Sequence, residues 1–130
     1  MISTTIFPAR YVQGEGALSH LSEEVARLGS KALAIVDRGV MSFVGDAIKS
    51  DDTADIVTEL FNGECSDEEV DRITAIVKKA GADVVIGIGG GKSLDTAKAV
   101  AFANKLPVVI VPTLASTDAP CSALSVIYTA

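Results

Sequence analysis

Apolar positions follow two patterns along this chain: short unbroken runs, and stripes that recur every three or four residues. Ala32-Leu33-Ala34-Ile35-Val36 is of the first kind and predicts a strand buried on both faces. It ends at Asp37, with Gly39 close behind. Ile56-Val57-Thr58-Glu59-Leu60-Phe61 predicts a second strand, stopped by the turn pair Asn62-Gly63. Ser66-Asp67-Glu68-Glu69 then opens a helix. Ser66 sits at the cap, Glu69 at the reciprocal capping-box position, and Asp67 and Glu68 at the positive end of the helix dipole. Val70, Ile73, Val77 and Ala80 form the apolar stripe of that helix, and Gly81 is its stop.

Val84-Val85-Ile86-Gly87-Ile88 predicts a third strand, broken by Gly89-Gly90-Gly91. Leu94, Ala97, Val100 and Ala101 mark the helix that follows, and Val108-Val109-Ile110-Val111 predicts a fourth strand between Pro107 and Pro112. Nearer the start, Leu18, Leu21, Val25 and Leu28 support a helix between Gly16 and Leu28, and a weaker pattern lies between Ser42 and Lys49. Residues 113–125, rich in Ser, Thr, Ala and Pro, read as a loop, and Ser125 to Thr129 as the beginning of a strand. Strands alternating with helices at this spacing predict an α/β fold, a parallel-sheet nucleotide-binding domain of Rossmann-like type. With no repeat and no linker, residues 1–130 form one domain. Its last strand has no successor, so the domain is expected to be truncated at its C-terminal end.

Composition narrows the function classes. The 130 residues are 48% hydrophobic and 22% charged, as in an ordinary globular domain. Eleven Lys and Arg against seventeen Asp and Glu give a net charge of −6 without any basic run, which disfavours nucleic acid and an anionic membrane surface as partners. Cys65 and Cys121 form no C-x-x-C pair and read as free thiols in a reducing cytoplasm. The N-terminal segment lacks a basic stretch followed by an apolar one, so it does not read as a signal peptide. The apolar run from Val84 to Ile88 is far short of the ~20 residues that span a bilayer. A cytoplasmic location is expected. His20 is the single histidine, and it reads as an ordinary one.

Candidate chemistry concentrates after the third strand. A buried strand feeding three glycines and then a helix lets another group approach the main chain closely. The first amides of the helix lack internal partners and suit an anion, above all a phosphate. Two common fingerprints fail here. A P-loop needs glycine where Ile86 stands, and the G-x-G-x-x-G dinucleotide pattern needs it where Lys92 stands. Asp37, the best candidate for a ribose-binding acid, lies upstream of the glycines rather than downstream. Lys92 is either a phosphate ligand or a solvated charge. A second loop, Pro112 to Pro120, brings hydroxyls and a carboxylate to the same edge of the sheet. Thr113 and Ser116 are placed to bond cofactor groups and Asp118 to accept from a substrate hydroxyl, or all three simply cap local amides.

Gly89-Gly90-Gly91-Lys92-Ser93-Leu94-Asp95-Thr96-Ala97-Lys98 resembles the G-G-G-x-x-x-D-x-A-K signature of the iron-containing alcohol dehydrogenase superfamily, which includes dehydroquinate synthase. The stretch from Pro112-Thr113 through Asp118-Ala119-Pro120-Cys121 to Tyr128, with Phe7 to Gly14, looks like its NAD-dependent polyol branch, the glycerol dehydrogenases. The resemblance implies a two-domain enzyme whose N-terminal α/β half binds NAD and whose C-terminal half is helical. By motif, Asp37 would accept from the adenosine ribose, and Gly90, Gly91, Lys92, Ser93, Leu94 and Asp95 would hold the pyrophosphate. Thr113, Leu114 and Ser116 would line the adenine and phosphate region. Ser122, Leu124 and Tyr128 would flank the nicotinamide, and Asp118 would contact the polyol. The zinc that such enzymes use to polarise the hydroxyl would be held by one aspartate and two histidines beyond residue 130. No catalytic residue and no metal ligand are therefore expected within this chain, which alone should be inactive.

Two other readings remain open from sequence: a free-standing nucleotide-binding module without catalysis, and a sister enzyme acting on a phosphorylated polyol. The apolar face awaiting a second domain leads us to expect a homo-oligomer, and the unpaired edge at residues 125–129 is expected to pair with a neighbouring chain or with the second domain.

Overall fold

The computed structural model describes residues 21–41, 48 and 53–112 with their side chains, and residues 10–13 and 123–127 as backbone. In chain order the elements are β1 (Arg10–Gln13), α1 (Leu21–Leu28), β2 (Lys31–Val36), β3 (Asp55–Leu60), α2 (Asp67–Ala80), β4 (Val84–Gly89), α3 (Gly91–Asn104), β5 (Val108–Pro112) and β6 (Ala123–Ile127). The sheet runs β1-β6-β5-β4-β2-β3. Its β5-β4-β2-β3 part is parallel, and β6 and β1 are antiparallel additions.

Strand parity divides the core. Ala32, Ala34, Val36, Val84, Ile86, Ile88, Val109 and Val111 point to one face, where Leu21 and Val25 of α1 cover them. Leu33, Ile35, Val85, Val108 and Ile110 point to the other, under Ile73 and Val77 of α2 and Ala97, Val100 and Ala101 of α3. Helices on both faces explain why β2 and β4 carry unbroken apolar runs.

The helix ends follow local chemistry. Ser66 caps α2 by accepting from the Glu69 N–H at 3.1 Å, as the sequence predicts. The reciprocal half of the capping box is not made among the described residues: the Glu69 carboxylate accepts instead from the Asn62 N–H at 3.0 Å and from Arg72. The guanidinium fork competes better for that carboxylate than the Ser66 amide does. Gly81 ends α2 in the left-handed region, φ 71°.

The expected unpaired edge is corrected. The last strand spans Ala123–Ile127 rather than 125–129, and it lies inside the sheet between β5 and β1. Arg10 pairs with Val126 and Gln13 with Ala123, so β1, a strand the apolar pattern does not reveal, satisfies its outer side. Among the described residues the outermost strands are β1 and β3. The helix expected between Ser42 and Lys49, the N-terminal part of the one beginning at Gly16, His20 and Cys121 all lie outside the described residues. No helix among the described residues is long and apolar enough to cross a membrane.

Candidate nucleotide site

The chain passes from β2 outward to β3, returns across β2 to β4, and continues to β5. The order therefore reverses between β2 and β4, and in open α/β sheets ligands bind outside the carboxyl ends of the strands at such a point. A cleft of about 360 Å³ opens there, lined by Asp37 and Arg38 after β2, Phe61, Asn62 and Gly63 after β3, and Gly90, Gly91 and Lys92 after β4. That volume falls in the usual range for small-molecule sites.

The glycines of the turn have two different reasons to be glycine. At Gly87 a Cβ would stand 2.5 Å from the Ala97 Cβ, so its absence lets α3 lie close on β4. Gly89 has φ +139°, and a Cβ there would meet the Asp37 Cβ at 2.5 Å and Ser93 Oγ at 2.6 Å. Both are demanded by the fold. Gly90 and Gly91 are not: φ at Gly90 is −90°, Gly91 is helical, and a Cβ at either would meet nothing within 4 Å. Side chains at those two positions would occupy only the cleft. Among the described residues nothing fills the space over that bare backbone.

The helix behind this floor is left open. The first bond of α3 runs from the Leu94 N–H to the Gly90 carbonyl at 3.1 Å, so the preceding amides lie ahead of the helical ladder. Gly90 provides no side-chain cap, and the first turn has no acid. By contrast α2 starts with a Ser66 cap and three acids, and α1 with Glu23 and Glu24. The positive end of α3 thus faces the cleft without a counter-charge from its own first turn. Leu94 spends its amide inside the helix, and Asp95 begins the second turn with an exposed side chain.

Ser93 is fully buried, and its hydroxyl donates to the Gly90 carbonyl at 2.9 Å, bracing the turn from below. Its hydroxyl therefore serves the turn, and Ser93 is not among the residues that line the cleft. Lys92 reaches sideways to Glu64, Nζ to Oε1 2.9 Å, with both side chains well exposed (65% and 75%). The Asp37 N–H donates to the Ile88 carbonyl at 3.0 Å, which fixes the residue beside the glycine turn. Its Oδ1 accepts from the Gly39 N–H at 2.9 Å, turning the loop back on itself.

The cleft thus unites Asp37 with Gly90, Gly91 and Lys92, as the sequence suggests. Arg38, Phe61, Asn62 and Gly63 were missed there, although parallel strands put the end of β3 on the same edge as those of β2 and β4. Gly89 pairs with Pro112, so the second loop starts next to the glycine turn. Thr113, Leu114, Ser116, Asp118, Ser122 and Tyr128 lie outside the described residues, and Leu124 is described only as backbone, paired with Val12. Among the described residues no three His, Cys, Asp or Glu side chains gather as a metal ion would need.

Behind the β3 wall lies a charged cluster. Arg72 grips Glu69 with two hydrogen bonds, Nε to Oε1 at 2.8 Å and Nη2 to Oε2 at 2.7 Å. Its Nη1 donates to Glu59 Oε2 at 2.7 Å and its Nη2 to the Leu60 carbonyl at 3.3 Å. Glu69 is 4% exposed, and the hydrogen bonds from Arg72 hold its carboxyl below the ordinary value, against the opposing effect of burial and with help from the Asn62 N–H.

Comparison with known proteins bears on the family and the fold. Residues 8–130 match the model of a family described as iron-containing alcohol dehydrogenase. Among curated relatives, the chain is 58% identical over 131 aligned positions to a glycerol dehydrogenase of Thermotoga maritima, covering 99% of this chain and 36% of that protein. It is 51% identical to a glycerol dehydrogenase of Pseudomonas putida, covering 94% and 34%. Among solved structures, a probable glycerol dehydrogenase from Sinorhizobium meliloti superposes with a TM-score of 0.70 at 41% identity, over 82% of this chain and 29% of that one. The chain spans about a third of the length of the curated relatives it matches.

Proposed function

The chain belongs to the iron-containing alcohol dehydrogenase family, and from that premise we propose that it is the coenzyme-binding part of an NAD-dependent dehydrogenase oxidising glycerol to dihydroxyacetone. The observation that carries the reading is the unfilled space over Gly90 and Gly91 at the switch point of the sheet. The names of the relatives supply the polyol.

In this reading the diphosphate of NAD lies on the bare backbone of Gly90 and Gly91. The amides of the first turn of α3 donate to its oxygens, and the helix dipole favours its charge. Lys92 is near enough to exchange Glu64 for a phosphate oxygen. The Asp37 oxygen not used by Gly39 accepts from an adenosine ribose hydroxyl, and Arg38, Phe61 and Asn62 wall the adenosine side. By the resemblance, Thr113, Leu114, Ser116, Ser122, Leu124 and Tyr128 would also contact the coenzyme, and Asp118 would accept from the polyol. Bound there, NAD supplies the hydride acceptor for the carbinol carbon. The part proposed for this chain is to hold and orient the coenzyme.

Gly91→Val separates the site from the fold. Outside its own turn a valine Cβ meets no described atom within 4 Å, so the thermal midpoint should shift by no more than ~2 °C, while its methyls enter the proposed phosphate position. Calorimetric titration with NAD should show affinity falling at least about tenfold, or ~1.4 kcal/mol. Unchanged affinity would mean that the diphosphate lies elsewhere.

A further inference from the structure

The residues that line the cleft do not account for how its β3 wall is held. Phe61, Asn62 and Gly63 follow the end of β3, beyond which no strand lies among the described residues. Phe61 is anchored by its N–H to the Val36 carbonyl at 2.8 Å and by its buried ring. Asn62 and Gly63 are both exposed. The Asn62 main chain is held from α2, where Glu69 Oε2 accepts its N–H. Arg72 fixes that carboxylate through both oxygens, and it also ties to Leu60 and Glu59 of β3. A single ion cluster thus joins the helix, the strand end and the wall. None of its three side chains lines the cleft.

From this connectivity we propose that Glu69 and Arg72 are positioning residues of the nucleotide cleft, setting its β3 wall through the Asn62 main chain. The inference rests on the reading of that cleft as the coenzyme site. An exposed tie at the loop tip, Lys92 to Glu64, is weak enough to open when a ligand arrives. The half-buried fork on the buried Glu69 carboxylate keeps the wall in place meanwhile, so the ligand meets a preformed surface.

A comparable device elsewhere in the chain provides the control. Asp83 is also a carboxylate that gathers main-chain amides, accepting from Ser30 N–H at 3.0 Å and Lys31 N–H at 2.9 Å. It lies at the opposite edge of the sheet, before β2 and β4 begin. The test compares Glu69→Gln, Glu69→Ala and Asp83→Asn in the full chain, with thermal unfolding and NAD titration measured on each. Glu69→Gln keeps an acceptor for the Asn62 N–H but loses the charged fork, so affinity should fall about threefold. Glu69→Ala loses both, and should cost about tenfold. Asp83→Asn should lower the thermal midpoint while leaving affinity within about twofold.

If either Glu69 variant is too unstable to titrate, Arg72→Lys, which keeps the charge without the fork, should weaken binding by at least about threefold. Equal losses in the Glu69 and Asp83 variants, or none in folded Glu69 or Arg72 variants, would overturn the positioning role. If the unmodified chain does not bind NAD, the coenzyme reading itself falls and this inference with it.

Discussion

Gly89 shows how one position can answer to several neighbours. Its φ of +139° is closed to L side chains, and the space its Cβ would need is held by Asp37 and Ser93. Gly89→Ala should therefore destabilise the chain by about 2–5 kcal/mol, combining backbone strain with overpacking. Urea unfolding would check this, and a loss under ~1 kcal/mol would mean that the turn can relax. Asp37 and Ser93 flank the same point, so damage there reaches the ligand wall as well as the core. The sequence announces the glycine run but not its division of labour. Four of the eleven glycines, at positions 87, 89, 90 and 91, look alike in one dimension. Only the neighbours brought near by folding separate the two that the chain itself requires from the two that leave room.

Close approach of α3 to β4 turns on Gly87 facing Ala97. Gly87→Ala should cost about 1–3 kcal/mol, and Ala97→Gly added to it should recover part of that loss despite the lower helix propensity of glycine. A double-mutant cycle measured by chemical denaturation gives the coupling, and strict additivity would show that the two Cβ positions do not compete. Elements of this kind were legible because their periods are clean. The β2 and β4 runs, the α2 stripe and the break after β4 all fall within a residue or two of their observed bounds. The β1 strand was not legible, since Arg10-Tyr11-Val12-Gln13 carries too short a pattern to announce pairing. The direction of β6 was hidden too, because no local feature distinguishes parallel from antiparallel. The Glu69 position read correctly as the start of a helix but not in its partner. Arg72 and Asn62 compete for the same carboxylate only once β3 and α2 have met.

The Glu69–Arg72–Glu59 cluster joins β3 to α2 and so bears on the stability of the entire chain. Glu69 has its pKa lowered in the folded state from the usual 4.5. Its contribution is therefore complete above pH ~4.5 and is lost as pH falls through the depressed folded value. Glu69→Gln should unfold at a lower temperature than the unmodified chain near neutral pH. The gap should close as the medium is acidified below that point. Thermal scans across the acid range check the sign: a gap that widens on acidification would place the stabilisation in the protonated form.

The position of β6 between β5 and β1 has a consequence for assembly. The segment that pairs with Arg10 to Gln13 is drawn from almost the far end of the described sequence. During synthesis β1 must wait, without this partner, until the residues of β6 have been made. Its docking closes a very long loop, a slow kind of event that rewards nothing until it is finished. The four-strand parallel core can form before that moment, so β1 docks after strands that follow it in the chain.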